Sequence, residues 1–153
     1  MSGGRDQPLA IFDLDGTLAL IEHRLHFIRG KPKRWDRFFA ACEADAPNPP
    51  VIELARTLGR QAGWEIWIWS GRSDEVRAET ERWLDRHLGI DAPLTMRRAG
   101  DHQPDVSLKA SWLLALSPAE RARLRFIVDD RASVVAMWRQ HGVTCLQCAP
   151  GDF

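Results

Sequence analysis

At 153 residues the chain is long enough to enclose one domain core and short for two. Hydrophobic residues make up 44% and charged residues 27%, the balance of a soluble globular protein, and no apolar run reaches a membrane span. Zero net charge argues against gripping long duplex through its phosphates, and three cysteines, an odd number, exclude a disulfide scaffold.

Residues 1–8 are polar, lack the apolar stretch of a signal peptide and are expected to form a loose tail, with 9–153 a single domain in the cytoplasm. Residues 8–12 read as a short buried strand ending in Asp13-Leu14-Asp15-Gly16. Residues 18–48 then interrupt the pattern with a helix expected over 35–44 and the proline-rich Pro47-Asn48-Pro49-Pro50. An insert placed there forms a small helical cap over the strand ends. Within it, Arg24, Arg29, Lys31, Lys33, Arg34 and Arg37 face only Glu22 and Asp36, a net charge of +4. Such a patch suits an anionic substrate, or is a solvated face. His23 and His26 lack a third ligand and are expected on the cap surface. Trp35, with Phe38 and Phe39 at helical spacing, is expected in the cap's own core rather than stacked on a base.

Residues 49–61 read as a helix with Val51, Leu54, Ala55 and Leu58 on one face. A second strand over 64–69 uses Trp64, Trp67 and Trp69 for packing and is closed by Ser70-Gly71. Ser73 is placed to cap a long helix reaching about Leu88, with Asp74 and Glu75 at its positive end. A third strand over 94–97 precedes helices over 107–116 and 118–123. A fourth over 124–128 ends in Asp129-Asp130. A helix over 131–140 stops at His141-Gly142, and 144–148 is the fifth strand. Cys145 and Cys148 in that strand point to opposite faces, and no second pair completes a zinc site, so both are expected to pack.

Strands separated by helices require crossover connections, which predicts an α/β fold with a doubly wound, parallel, five-stranded sheet. Ligands of such sheets bind beyond the carboxyl ends of the strands. Those ends deliver Asp13 and Asp15, then Ser70 and Arg72, then Asp129 and Asp130, with Lys109 on a following helix. Four carboxylates in one place demand a cation, and hard oxygen donors favour Mg²⁺, held by Asp13, Asp15, Asp129 and Asp130. Asp13 is then a nucleophile toward phosphorus and Asp15 the acid and base. Ser70 and Lys109 are placed for the phosphoryl oxygens.

The string Phe12-Asp13-Leu14-Asp15-Gly16-Thr17-Leu18 resembles the first signature of the haloacid dehalogenase (HAD) superfamily. Ser70-Gly71-Arg72, Lys109 and Asp129-Asp130-Arg131 resemble its other three. The chain is most similar to the phosphatase half of bacteriophage polynucleotide kinase/phosphatases, through Ile11 to Leu18, Trp69-Ser70-Gly71-Arg72, Asp105 with Lys109, Asp129-Asp130-Arg131, residues 134–139 and the closing Gly151-Asp152-Phe153. The resemblance implies an Mg²⁺-dependent phosphatase with a HAD-like Rossmannoid sheet, and places Thr17, Arg24, Gly71, Arg72 and Asp105 around the phosphate. The implied substrate is a 3′-phosphorylated DNA or RNA end; a nucleotide or small-metabolite phosphatase is the alternative, and a non-catalytic module binding phosphorylated ends a third. No G-x-x-x-x-G-K-[ST] string occurs, so end phosphorylation is not expected, leaving room for a separate kinase or ligase partner. No membrane partner is expected, and nothing in the sequence fixes an oligomeric state.

Overall fold

The computed structural model describes residues 6–151. Residues 1–5 of the expected tail, and Asp152 and Phe153 of the closing motif, lie outside the described residues. The nearer end of that tail is tied down. Gln7 Nε2 donates to the Gly63 carbonyl at 2.8 Å, and the Glu65 N–H donates to the Pro8 carbonyl at 2.9 Å.

Strand β1 (Leu9–Phe12) leads into the insert, whose base is an antiparallel ribbon of β2 (Ala19–Leu20) and β3 (Ala46–Pro47). Two-residue strands carry no readable alternation, and the sequence reading did not include this neck. The Asn48 N–H donates to the Leu18 carbonyl at 2.8 Å and closes it. Between the ribbon strands run a 3₁₀ turn (Glu22–Arg24), α1 (His26–Arg29), α2 (Trp35–Ala40) and a second 3₁₀ turn (Cys42–Ala44). The one expected cap helix is thus split at Ala41.

Helix α3 (Pro49–Arg56) begins on two prolines, where missing N–H groups cost nothing, and continues as a π turn over Thr57–Gln61. Then follow β4 (Glu65–Ser73), a 3₁₀ turn (Asp74–Val76), α4 (Arg77–His87), β5 (Leu94–Arg97) and α5 (Asp105–Leu114). The chain continues through α6 (Pro118–Arg123), β6 (Leu124–Asp129), α7 (Ala132–Gln140) and β7 (Cys145–Gln147). Two boundaries differ usefully from the sequence expectation. β4 runs past Trp69 because Ser73 still pairs with Arg97 of β5 across an irregularity. α5 starts at Asp105 rather than at 107, which brings that carboxylate to the helix's positive end.

The sheet order is β5-β4-β1-β6-β7, with every neighbour parallel, as the alternation of strands and helices predicts. Side chains alternate along β1. Ala10 and Phe12 join Ile66 and Ile68 of β4 under α3 and α4, with Trp83 filling that layer. Leu9 and Ile11 join Trp69 and Ile127 under α5 and α7, with Trp138 filling the other. Trp64 and Trp67 pack at the margins, and Cys42, Cys145 and Cys148 are free thiols. The cap has its own small cluster of Ile21, Leu25, Ile28 and Phe38, flanked by Phe27 and Phe39. No helix among the described residues is long and apolar enough to cross a membrane.

The consequence of this topology is that β4, β1 and β6, the three central strands, end side by side. Ile68, fully buried at the centre, and Leu114, 73% exposed, give a test of which contacts hold the sheet. Ile68→Ala should cost about 2–5 kcal/mol in urea unfolding. Leu114→Ala should stay within about 0.5 kcal/mol of the parent protein.

Candidate active site

Asp13 directly follows β1, and its backbone N–H donates to Val128 of β6 at 2.9 Å, so the ladder itself fixes where this carboxylate emerges. Asp13 Oδ1 accepts from Lys109 Nζ at 2.7 Å, and Oδ2 from the Thr17 hydroxyl at 3.2 Å. Lys109 lies 3.3 Å from Asp129 Oδ2, which also accepts the Trp138 indole N–H at 3.2 Å. Thr17 Oγ1 is 3.4 Å from Asp130 Oδ1. Lys109, Asp129 and Asp130 are almost wholly buried, and Thr17 entirely so. Thr17 thus bridges the Asp13 and Asp130 carboxylates through its hydroxyl.

One oxygen each of Asp13, Asp129 and Asp130 lie within 4.8 Å of one another. Three buried carboxylates so close disfavour their own charge. Burial, then the charge of Asp129, push the Asp13 carboxyl well above its ordinary range against the pull of Lys109. Burial and Asp129 likewise raise Asp130 to about 6. Lys109 loses favour by burial, but Asp129 and Asp13 outweigh this and hold it protonated. One ammonium cannot balance three carboxylates, and hard, clustered oxygens of this kind fit a small divalent cation.

Asp15 stands apart from that cluster. Its Oδ1 accepts from Arg24 Nη2 at 2.7 Å and from Arg72 Nε at 2.8 Å. Burial acts to raise its pKa, but Arg72 and Arg24 more than offset this and hold it at about 2. Asp15, expected among the metal ligands, lies outside the group formed by Asp13, Asp129 and Asp130, with its Oδ1 taken by two guanidinium groups. Arg24 and Arg72 are both fully buried. Expected around a substrate phosphate, they do not line the cleft and donate instead to groups inside the protein. Arg24 donates to the Phe38 carbonyl at 3.1 Å and lies over the Phe38 ring, and Arg72 donates to Thr80 Oγ1 at 3.1 Å.

Ser70 is fully buried and accepts the Arg72 backbone N–H at 3.2 Å, within the irregularity of β4 between Ser70 and Ser73. Gly71 is needed for closeness. A Cβ there would collide with the Asp105 carboxylate. Gly16, at φ +79°, meets the same limit against the Asp130 carboxylate, so both signature glycines let backbone pass beside an acid. Asp105 itself pairs with Arg97 at 2.8 Å and Arg131 at 3.3 Å.

These groups open onto a cleft of about 490 Å³ lined by Asp13, Asp15, Gly71, Asp105, Lys109 and the Asp129–Asp130 pair. The cap contributes Trp35, Phe38 and Phe39 to its wall, and the end of β5 with the segment after it contributes Arg97, Arg98 and residues 100–104. Trp35 does pack on Phe38 and Phe39, with centroids at 5.6 and 5.9 Å. Yet it stays 40% exposed and belongs to the cleft wall, not to the cap core where the helical spacing put it. His23 is not simply a surface residue, since Nε2 lies 2.6 Å from the buried Asp45 Oδ1. His26 is exposed and packs against Phe27 with tilted rings. Of the six cap cations, Arg24 alone is buried; the other five point outward.

Two site residues escaped the sequence reading. Arg97 ties Gly71, Asp101, Gln103 and Asp105 together, and its place at the end of a strand was a usable signal. Asp45, which contacts both Arg24 and Arg72, had none; beside Glu43 it is one more acid in a loop.

Residues 7–153 match the family described as the phosphatase domain of polynucleotide kinase PNKP. The structure of the Pnkp1/Rnl/Hen1 RNA repair complex contains a similar chain at 30% identity and TM-score 0.79, covering 96% of this chain and 44% of that one. A second Pnkp1/Rnl/Hen1 structure gives 32% identity and TM-score 0.78, covering 96% and 48%. The present chain thus spans less than half the length of either. Protein tyrosine kinase A of Mycobacterium tuberculosis shares the fold at 18% identity and TM-score 0.62, covering 98% of this chain and 89% of that one. With the match running from Gln7 onward through every strand of the sheet, the chain belongs to the PNKP phosphatase-domain family of HAD phosphatases.

Proposed function

We propose that the chain is an Mg²⁺-dependent phosphomonoesterase that removes 3′-phosphates from DNA or RNA ends through an aspartyl-phosphate. The observation that carries this reading is Asp13 at the floor of the cleft, held at one oxygen by Lys109 and at the other by Thr17, with Asp15 lining the same space. The Asp13 carboxylate attacks phosphorus while the bond to the leaving oxygen breaks, and Asp15 delivers a proton to that oxygen. Water then attacks the acyl phosphate, Asp15 takes its proton, and phosphate leaves with Asp13 regenerated. Arg24 and Arg72 keep Asp15 ionised, the form that accepts the proton from water. An anionic phosphomonoester beside it opposes the two arginines and raises its affinity for the proton needed earlier.

Asp13, Asp129 and Asp130 would hold the Mg²⁺, which when bound supplies positive charge to the crowded carboxylates and phosphoryl oxygens. Lys109 supplies the fixed part of that charge. A phosphorylated nucleoside end suits the remainder of the cleft. The aromatic cap wall of Trp35 and Phe39 offers a face to a base, Arg97 and Arg98 line the same space, and the relatives are named for RNA repair. A kinase or ligase acting on the same ends would be the natural partner.

A panel of 3′-phosphorylated oligonucleotides, 5′-phosphorylated oligonucleotides, mononucleotides and small phosphate esters tests the substrate. The 3′-phosphorylated oligonucleotide should have the highest kcat/KM; a preference for free nucleotides or small esters would replace the end-processing reading. Trp35→Ala should lower kcat/KM on that oligonucleotide by roughly 5- to 150-fold, the range of one base stacked on an aromatic ring. The same variant should act normally on a small aliphatic phosphate.

Asp13→Asn should lower kcat on the order of 10⁴-fold or more while the protein melts as a folded domain. Near-normal turnover would contradict covalent catalysis. Metal binding has its own readout. Mg²⁺ should raise the melting temperature of the chelator-treated protein by relieving the carboxylate repulsion, and Asp130→Asn should shrink that rise. Ca²⁺, with its larger and looser shell, should restore activity poorly.

A further inference from the structure

Asp45 is the fully buried carboxylate that joins the cap to the catalytic strands. It follows the Cys42–Ala44 turn, and its backbone carbonyl accepts the Trp83 indole N–H from α4 at 2.8 Å, so it is anchored to the core although it belongs to the insert. Its side chain takes Arg24 in a two-pronged grip, with Nε at 2.8 Å from Oδ1 and Nη2 at 2.6 Å from Oδ2. The same Oδ2 accepts from Arg72 Nη2 at 3.0 Å. The same Nη2 atoms also face Asp15: Arg24 Nη2 lies 2.7 Å from Oδ1, and Arg72 Nη2 also lies 2.7 Å away, with Arg72 Nε at 2.8 Å. Two carboxylates and two arginines thus form a charge-balanced quartet, which His23 joins from the cap surface with Nε2 at 2.6 Å from Asp45 Oδ1. Asp15 is its one member on the cleft, with 17% of its side chain exposed where the other three have none.

A planar guanidinium group held along one edge by a carboxylate cannot turn, so the direction in which it presents its remaining N–H groups is set. Asp45 sets that direction for Arg24 through both of its oxygens, and adds a single contact at Nη2 of Arg72, whose Nη1 is held by Thr80. Buried ion pairs are a poor way to gain stability, because desolvation consumes most of the attraction, and an apolar cluster of similar volume would hold the cap as well. What an apolar cluster could not do is fix a carboxylate in the cleft.

We propose that Asp45 is a positioning residue for catalysis, acting through Arg24 and Arg72 to hold the Asp15 carboxylate where protons are transferred. The inference rests on the assignment of Asp15 as acid and base made above. It also assigns the cap a part in the chemistry, since Asp45 and Arg24 both come from the insert while Asp15 and Arg72 come from the sheet.

The test separates proton transfer from everything else by leaving group. An alkyl leaving group such as the 3′ oxygen of an oligonucleotide needs a proton as its bond to phosphorus breaks, whereas 2,4-dinitrophenolate leaves without one. For Asp45→Asn, kcat on the 3′-phosphorylated oligonucleotide should fall roughly 10- to 100-fold, the cost of a misplaced catalytic group, with KM little changed. On 2,4-dinitrophenyl phosphate the first half-reaction should survive and the second, in which Asp15 takes a proton from water, should slow. Rapid mixing should then show a burst of about one dinitrophenolate per enzyme. Equal losses on the two esters, without a burst, would mean that Asp45 only supports the fold; unchanged kinetics would mean that it does nothing for Asp15.

Asp15→Asn run alongside is the reference. If it shows no leaving-group discrimination, the acid/base assignment itself fails. If it discriminates and Asp45→Asn does not, the positioning role alone is overturned. Should Asp45→Asn not fold, Arg24→Lys decides instead. It keeps the charge but not the forked contact that reaches both Asp45 and Asp15, and the same contrast between the esters is expected.

Discussion

Everything in this site is arranged around one electrostatic problem, the burial of Asp13, Asp129 and Asp130 about a single ammonium group. Lys109 sits 2.7 Å from Asp13 and 3.3 Å from Asp129, and is itself only 2% exposed. Taking these charges out of water is costly, and the protein offsets the cost with directed donors. The Asp130 backbone N–H and the Trp138 indole N–H serve Asp129, and Thr17 serves Asp13. Each donor comes from a different element, so the parallel sheet that brings β1 and β6 side by side is a precondition of the site, not only its platform. The close approach at Gly16, where a Cβ would meet Asp130, belongs to the same constraint.

Two residues along the chain the electrostatics reverse. Burial and then neighbouring acids raise the Asp13 pKa, whereas at Asp15 burial is outweighed by Arg72 and Arg24, which lower it to about 2. Alternation along an extended segment sends i and i+2 to the same side, which would place both carboxylates in one crowded cluster. The turn at Leu14 and Gly16 breaks that rule. The isolated bridge between Asp15 and Ala19 leads the chain into the neck of the cap, where Arg24 is waiting. Two carboxylates with opposed environments can take opposed roles, one attacking phosphorus and the other moving protons.

The sheet was legible in the sequence because its strands are short apolar runs closed by polar residues, and because alternation with helices leaves parallel pairing as the economical solution. The acids at the ends of β1 and β6 were legible for the same reason. What could not be read were partnerships across sequence distance. Arg24 and Arg72 were found but expected to meet the substrate; only the fold reveals that Asp15 and Asp45 consume them. Asp45 was invisible because its partner from the core, Arg72, lies 27 residues on and nothing local distinguishes it from Glu43. Trp35 shows the converse failure. Helical spacing correctly paired it with Phe38 and Phe39, but α2 is only six residues long, too short for periodicity to say which side faces the core and which the cleft.

The basic run of the cap illustrates how far charge counting goes. Its net charge of +4 reads as one patch, yet the structure divides it into two populations with different physics. Arg29, Lys31, Lys33, Arg34 and Arg37 remain in water, where they act over a Debye length and are weakened by salt. Arg24 is withdrawn from solvent, is satisfied by two carboxylates, and can act only through contact. Salt therefore addresses the first population and leaves the second untouched. A substrate long enough to reach the outer cations should feel ionic strength, while the geometry at Asp15 should not.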